Sequence, residues 1–176
     1  MNIPDNKNPL SNLKLNPLLN PRLNPALNPQ LNPALNPRLN PALNIQLNPE
    51  INATLNPAFN ARINYLMNAQ LNPLLNALIN PALNASINPS STTDAQVVYF
   101  FNAQLQPHLY GVHAVDGMWV LFGLDNRHSG TAVPAAEGSY LLFDCGNRWI
   151  GFLAPDDQGG YAHFDKSGIW SGLVVR

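Results

Sequence analysis

The sequence has little charge and almost no cysteine. Its 176 residues include 9 Lys and Arg and 10 Asp and Glu, which gives a formal net charge of −1. This is neither the dense basic surface of a nucleic-acid binder nor a strongly acidic one, so no nucleic-acid partner is expected. Cys145 is the single cysteine, which excludes an intramolecular disulfide and an all-cysteine metal cage.

Long apolar runs are also missing. None reaches about 18 residues, so no transmembrane helix is expected. Residues 1–13 are polar and lack the basic and apolar regions of a classical signal peptide. The sequence favours a protein that is cytoplasmic or exported without a leader, and it does not decide between the two.

Glycine is missing from the first half of the chain. All 11 Gly lie after residue 110, whereas 14 of the 17 Pro lie before residue 90, so the two halves follow different backbone rules. We divide the chain into a leader (1–14), a repeat (15–91), a junction with degenerate last repeats (92–109) and a small antiparallel β domain (110–176).

The repeat has a four-residue unit: an apolar residue, Asn, usually Pro, and a variable residue. Asn stands at every fourth position from Asn8 to Asn88. Interior prolines exclude an α-helix, because each costs roughly 3 kcal/mol there, and Pro cannot donate to a sheet ladder. Asn followed by Pro favours a corner after a short extended piece. The pattern predicts a β-solenoid rod of stacked coils with the apolar row inside.

A second period sharpens this interpretation. The variable position alternates between polar residues such as Arg22, Gln30 and Arg38 and small apolar residues such as Ala26 and Ala34. The true period is therefore eight residues, and each coil should hold two or four units. The Asn row is expected to form an internal ladder of side-chain hydrogen bonds. An exposed array that matches a periodic ligand, or a tract that stays extended, are the open alternatives.

Residues 15–91 resemble the pentapeptide-repeat proteins only in that short units stack as coils and bury one apolar residue per side. The quadrilateral coils of that family bury a central Leu or Phe on each side. The period here is four rather than five, and the Ala-(Asp/Asn)-Leu-x-x pattern of that family is absent. The resemblance implies a rod and transfers no functional residue.

The small apolar variable residues should align into a strip along one side of the rod. An exposed apolar strip usually marks an interface, and two like strips pair most simply about a two-fold axis. A homo-oligomer is therefore expected, with docking of the C-terminal domain or of another protein as alternatives. The strip consists of Ala26, Ala34, Ala42, Ala58, Leu66, Leu74 and Ala82.

The C-terminal segment consists of short β-rich runs between Gly, Asp and Asn turn signals. About six strands are expected in an antiparallel sheet, a sandwich or a small barrel. The runs are Leu109–Val115, Met118–Gly123, Ser139–Asp144, Arg148–Leu153, Tyr161–Phe164 and Ile169–Val175.

Few residues in this segment suggest chemistry. Cys145 could join His108, His113, His128 or His163 in a catalytic pair, but no spacing makes this specific, and neither catalysis, a cofactor nor a metal is expected. Aromatic and basic side chains could instead hold a sugar ring or a protein epitope, although core packing competes for them. These binding candidates are Trp119, Trp149, Trp170, Tyr110 and Arg148.

The function expected from the sequence is that of a non-enzymatic structural or interaction protein: a repeat rod that presents, or is capped by, a β domain and self-assembles or binds another protein. The alternative from another class is a carbohydrate-binding module on a repeat stalk, with a glycan as its partner. A cysteine-dependent enzyme centred on Cys145 comes third.

Overall fold

The structure, a computed structural model, describes all residues from Met1 to Arg176. Eight antiparallel strands close into a barrel in chain order, with β8 paired to β1. None of the helices, which are all three-residue 3-10 turns, has the length or apolar character needed to cross a bilayer. The strands are β1 (Val97–Asn102), β2 (Pro107–His113), β3 (Trp119–Gly123), β4 (His128–Pro134), β5 (Tyr140–Asp144), β6 (Trp149–Pro155), β7 (Tyr161–Asp165) and β8 (Trp170–Val175).

Strand side chains alternate between the inside and the outside of the barrel. The inside is filled by a cluster around Trp119, which comprises Val98, Phe100, Trp119, Leu121, Ala132, Tyr140, Leu142, Leu153, Tyr161 and Val174. The outward side chains of Tyr99, Phe101, Phe122 and Phe143 are nevertheless also buried. A second layer of protein must therefore cover the barrel from outside.

The barrel consists of four copies of one β-hairpin with a period of 21 residues. Phe101, Phe122, Phe143 and Phe164 stand at equivalent positions, and the pairing register shifts beside each of them. Each hairpin loop then holds one residue in the left-handed region, namely Leu105, Asn126, Asn147 and Gly168, with φ of 60°, 64°, 57° and 80°. The domain is thus a fourfold pseudosymmetric assembly.

The N-terminal repeat is a run of tight turns without a strand. In each unit the Asn carbonyl accepts the N–H three residues on, and its side-chain oxygen accepts the N–H two residues on; at Asn20 these donors are Leu23 (3.0 Å) and Arg22 (3.2 Å). Several units form 3-10 turns: Asp5–Lys7, Leu13–Leu15, Pro21–Leu23, Ile45–Leu47, Ala53–Leu55, Ala77–Ile79 and Ala85–Ile87. Two more, Val115–Gly117 and Ala136–Gly138, connect barrel strands.

The Asn amide groups stack these turns with a period of eight residues. Asn20 Nδ2 donates to the Lys14 carbonyl at 2.7 Å, and Asn64 Nδ2 donates to the Pro57 carbonyl at 3.0 Å. Each acceptor lies in the unit that begins eight residues earlier. We call the resulting structure, residues 5–91, the ribbon.

The ribbon buries only every second apolar residue. An inner row faces the barrel, with Leu23, Leu31, Leu39, Leu47, Leu71, Ile79 and Ile87 buried and Leu15, Leu55 and Ile63 partly so. An outer row faces away and is 62 to 77 % exposed; it comprises Leu19, Leu27, Leu35, Leu43, Ile51, Phe59, Met67, Leu75 and Leu83. Most of the inner row shares one hydrophobic core cluster with the outward side chains of the barrel, namely Leu39, Leu71, Ile79 and Ile87 together with the partly buried Leu15, Leu55 and Ile63.

The ribbon encircles the barrel. Lys7 lies over Tyr99 of β1, Pro33 lies beside Gly168 in the β7–β8 turn, and Tyr65 reaches the Cys145 carbonyl after β5. The circuit closes where the Asn2 N–H donates to the Pro89 carbonyl at 2.7 Å. The barrel and its surrounding ribbon therefore form one structure with a shared core.

The predicted β-solenoid rod with a separate β domain is wrong, as is the expected likeness to pentapeptide-repeat coils. The chain is a closed eight-stranded barrel, so describing it as a tandem-repeat solenoid does not fit. The physical reason is that no ribbon unit pairs into a ladder and only alternate apolar residues are buried, so the repeat has no core of its own. The all-β class and the antiparallel pairing do hold.

The predicted strands miss part of the barrel. The segment assigned to the junction and degenerate last repeats, residues 92–109, contains β1 and the start of β2, and β4 (His128–Pro134) has no counterpart among the six predicted strands. In β4 the apolar alternation is interrupted by Ser129, Gly130 and Thr131, which hides the strand from a pattern search.

Candidate functional site

The outer surface of the ribbon is the most extensive unusual feature of the molecule. All seven strip residues, from Ala26 to Ala82, are exposed, and each directly precedes a residue of the outer row, as Ala34 precedes Leu35. We call the strip and the outer row together the outer band. Because two units complete one eight-residue period, the apolar residue of the second unit must point away from the barrel.

The outer band carries little charge. Its strip and outer row contain no charged residue; the exposed cations Lys14, Arg22, Arg38 and Arg62 and the one carboxylate, that of Glu50, stand at other variable positions of the ribbon. Arg62 pairs with Asp116 of the barrel at 3.0 Å, but both side chains are more than half exposed, so the pair adds little stability. The band is apolar with a sparse cationic margin.

Two of the predicted binding aromatics are buried. Trp119 is 0 % exposed inside the barrel, stacked on Tyr140 at 4.1 Å. Tyr110 faces outward beneath the ribbon and donates its hydroxyl to Asn126 Oδ1 at 2.6 Å. Burial, with a smaller contribution from nearby Asp125, raises the pKa of Tyr110 well above its usual value. Neither ring offers a free face.

Trp149 and Trp170 occupy equivalent positions in two hairpins and are partly buried against the outer core cluster. The Trp149 indole N–H donates to the Gly151 carbonyl at 2.8 Å. Arg148 is held by Asp144 at 2.6 Å. The structure brings Arg148 and Trp149 together only as chain neighbours, and it does not join them to Trp119 in one aromatic platform.

Cys145 does meet a histidine. Its Sγ lies 3.6 Å from His128 Nδ1 and donates to the His128 carbonyl at 3.1 Å. Burial, aided by Asp144, raises the pKa of the thiol, and burial lowers the pKa of His128. The thiol therefore stays protonated, whereas a cysteine nucleophile needs a thiolate.

Tyr65 gives this cluster a structural role. It replaces Pro at its position in the repeat, donates its hydroxyl to the Cys145 carbonyl at 2.7 Å and packs edge-on to the His128 ring at 4.5 Å. Next to it, Asn147 Nδ2 donates to Asn64 Oδ1 at 3.1 Å. These contacts attach the ribbon to the barrel.

The other histidines lie apart from Cys145. His108 and His163 stack at 6.4 Å, while His113 stands at the end of β2. No group of three or more His, Cys, Asp or Glu side chains is arranged to hold a metal ion.

Sequence reasoning missed one further cluster, at the barrel end where β2 and β8 finish. We call this end the mouth. Lys7, His113 and Arg176 line a depression of about 330 Å³ there, together with Gln96, Val97, Val98, Gly117 and Tyr140. Lys7, His113 and Arg176 are far apart in the chain, so no local motif identifies this cluster.

No family model, curated protein or solved structure matches the chain.

Proposed function

We propose that the protein is a non-enzymatic interaction protein that assembles with a second copy of itself through the outer band. The observation that carries this proposal is the outer row: nine successive outward positions are apolar although each is 62 to 77 % exposed. Such contiguous apolar patches are rare on soluble monomers and usually mark an interface.

The fold itself does not require an apolar outer row. The inner row supplies the contacts with the barrel, and the Asn side chains supply the hydrogen bonds between turns. A polar residue at position 35 or 43 would leave both intact. Burying a Leu side chain is worth roughly 1.5–3 kcal/mol, so covering even a few of these residues would favour association.

A second copy suits the band because it presents the same apolar surface with the same eight-residue spacing. Two like bands related by a two-fold axis would place leucines of one copy between those of the other. The sparse cations would then face each other and repel. Salt should therefore strengthen the association, since it screens this repulsion and kosmotropic salts favour apolar burial.

The test is light scattering on the full chain and on a triple variant, Ala34→Lys, Ala42→Lys and Ala58→Lys. The matched control adds the same charge at polar ribbon positions, with Gln30→Lys, Gln46→Lys and Gln70→Lys. We expect oligomers for the wild type and the control and monomers for the strip variant, with equal unfolding midpoints once all three are diluted until they are monomeric. A monomeric wild type, or a strip variant that still assembles, contradicts the proposal.

Carbohydrate binding has less support, because Trp119 and Tyr110 are buried and Arg148 is ion-paired. A cysteine enzyme has less support because the pKa of the Cys145 thiol is raised. Glycan-array binding that is lost on Trp149→Ala or Trp170→Ala would favour carbohydrate binding. Turnover that is sensitive to a thiol reagent would favour a cysteine enzyme.

A further inference from the structure

The mouth brings together two cations, Lys7 of the ribbon and Arg176 after β8, and the imidazole of His113 at the end of β2. β1 pairs with both β2 and β8, so the register places His113 and Arg176 on either side of the start of β1. Their backbones are roughly 12 Å apart, because two strand spacings combine with an offset of two residues along β1. Lys7 approaches from the ribbon and lies over Tyr99 of β1 at 5.7 Å.

Arg176 is fixed in place without a carboxylate. Its guanidinium lies over Trp119 at 5.7 Å and over Tyr161 at 5.1 Å, and one nitrogen donates to the Tyr161 hydroxyl at 2.6 Å. Stacking on aromatic faces holds the planar group while leaving its remaining N–H donors free. Such a preorganised fork matches the geometry of an oxyanion.

Neither Lys7 nor Arg176 forms an ion pair. The three ion pairs of the chain involve Arg62, Arg127 and Arg148, and no Asp or Glu lines the depression. The nearest carboxylate is that of Asp156 in the adjacent cavity, and one of its oxygens accepts from the backbone N–H groups of Gln158 and Gly160. The side chains that line the depression itself therefore carry positive charge and no negative charge.

His113 and Arg176 also break the fourfold pattern of the barrel. With the 21-residue period, they are equivalent to Pro134 and Pro155. The two strands that flank β1 thus lead into side chains with N–H donors, where the other two equivalent strands end in Pro, whose side chain has none.

We propose that this depression binds an oxyanion of the phosphate or sulfate type, held by the Arg176 guanidinium, the Lys7 ammonium and a His113 ring N–H. The Arg176 fork provides direction, and Lys7 acts as a point charge. The neutral side chain of Gln96 offers a further donor at the rim. This site is separate from the outer band, and its test does not depend on assembly.

The protonation behaviour of His113 agrees with this arrangement. Burial lowers its pKa, and Arg176 and Lys7 lower it further, as expected where cations converge without a counterion. A bound oxyanion would oppose that effect, so binding should be accompanied by proton uptake.

The experiment is isothermal titration calorimetry of the full chain with sodium phosphate and sodium sulfate at constant ionic strength, with sodium chloride as the reference titration. Wild type is compared with Arg176→Gln, Lys7→Gln and Arg127→Gln. Arg127 is an exposed arginine paired with Asp125 in the β3–β4 loop and is the matched control. We expect saturable binding that weakens roughly tenfold or more in each mouth variant and is unchanged in the control.

Phosphate could reach the mouth as a free ion or as a lipid headgroup, so flotation with phosphatidylcholine vesicles, with and without phosphatidylglycerol, distinguishes the sources. If one mouth variant fails to fold by circular dichroism, the other decides the result. Absence of saturable binding to wild type, or equal loss in the Arg127→Gln control, overturns the proposal.

Discussion

The backbone N–H of Asn2 donates to the carbonyl oxygen of Pro89 across 2.7 Å, which joins the residues just before the ribbon to its last turn. A rod of stacked turns has open ends that need capping. A ring has none, because its first turn serves as the neighbour of its last. The barrel inside fixes the circumference, and the ribbon in turn covers the apolar outside of the barrel.

Removing this closing hydrogen bond should destabilise the protein slightly. Asn2→Pro lacks the backbone donor, and because Asn2 is exposed we expect a loss of about 0.5–1 kcal/mol in the free energy of unfolding. Asn2→Ala keeps the donor and is the control. Urea unfolding checks both variants, and an equal effect of the two would show that the bond contributes nothing.

Leu71 of the inner row and Leu75 of the outer row allow the burial of the two rows to be compared with the same substitution. Both precede Asn, but Leu71 is 0 % exposed and Leu75 is 70 % exposed. Leu71→Ala should cost about 2–5 kcal/mol because it leaves a cavity against the barrel. Leu75→Ala should stay within about 0.5 kcal/mol when the protein is diluted until it is monomeric. Similar losses for both substitutions, measured by urea unfolding, would contradict the inner and outer rows.

Among the Asn side chains of the ribbon, that of Asn64 should make one of the largest contributions to the free energy of unfolding. Its side chain donates to Pro57 at 3.0 Å, accepts from the Leu66 N–H at 2.9 Å and accepts from Asn147 at 3.1 Å, and it is buried. Asn64→Ala leaves several buried groups unpaired and should cost about 2–4 kcal/mol.

Asn52 is the control for this prediction, since its side chain only accepts hydrogen bonds from Thr54. Asn52→Ala should cost roughly 1 kcal/mol, as for a helix cap. Thermal unfolding of both variants would refute the prediction if Asn52→Ala were the more damaging substitution.

The sequence predicts the all-β class and the eight-residue alternation, but it does not decide which of Leu71 and Leu75 is buried. The alternation separates their two rows, since Leu71 follows Gln70 and Leu75 follows Leu74, but only the position of the barrel decides which row is buried. A four-residue apolar row suggests a solenoid with its own core because each unit, considered alone, offers one residue to bury. The burial partner is encoded elsewhere, in the outward Phe101, Phe122 and Phe143.

The 21-residue hairpin repeat leaves only a weak pattern in the sequence. Phenylalanine recurs every 21 residues from Phe101 to Phe164, yet the intervening strands share little sequence, because an inward position accepts Val, Trp or Tyr as long as the layer is filled. The mouth could not be predicted at all. Lys7 and Arg176 stand near opposite ends of the chain, and only closure of the ribbon and the barrel brings them together.

His163 should make the barrel sensitive to acid. It points inward, edge-on to Phe100 at 6.1 Å, and its buried Nδ1 has no hydrogen-bond partner. Burial, and to a lesser degree the neighbouring His108, lowers its pKa to about 4. With an ordinary pKa of about 6.5 in the unfolded chain, the unfolded state binds more protons between these two values. Stability should therefore fall as the pH drops from about 6.5 to about 4, and this group should add no further loss below that.

The 21-residue period supplies the substitution that tests this behaviour. The positions equivalent to His163 are Phe100, Leu121 and Leu142, so His163→Leu restores the apolar residue that the fold uses elsewhere. The lowered pKa corresponds to about 2–3 kcal/mol across this window, and His163→Leu should remove most of that loss while being at least as stable at pH 7, since it eliminates an unpaired buried nitrogen. Some pH dependence should remain from His108, His113 and His128, whose pKa values burial also lowers. Urea unfolding at pH 7, 5.5 and 4 is the measurement, and His113→Leu is the comparison that should remove a smaller part of the loss. If His163→Leu loses as much stability between pH 7 and 4 as the wild type does, the His163 imidazole is not the group that couples folding to protons.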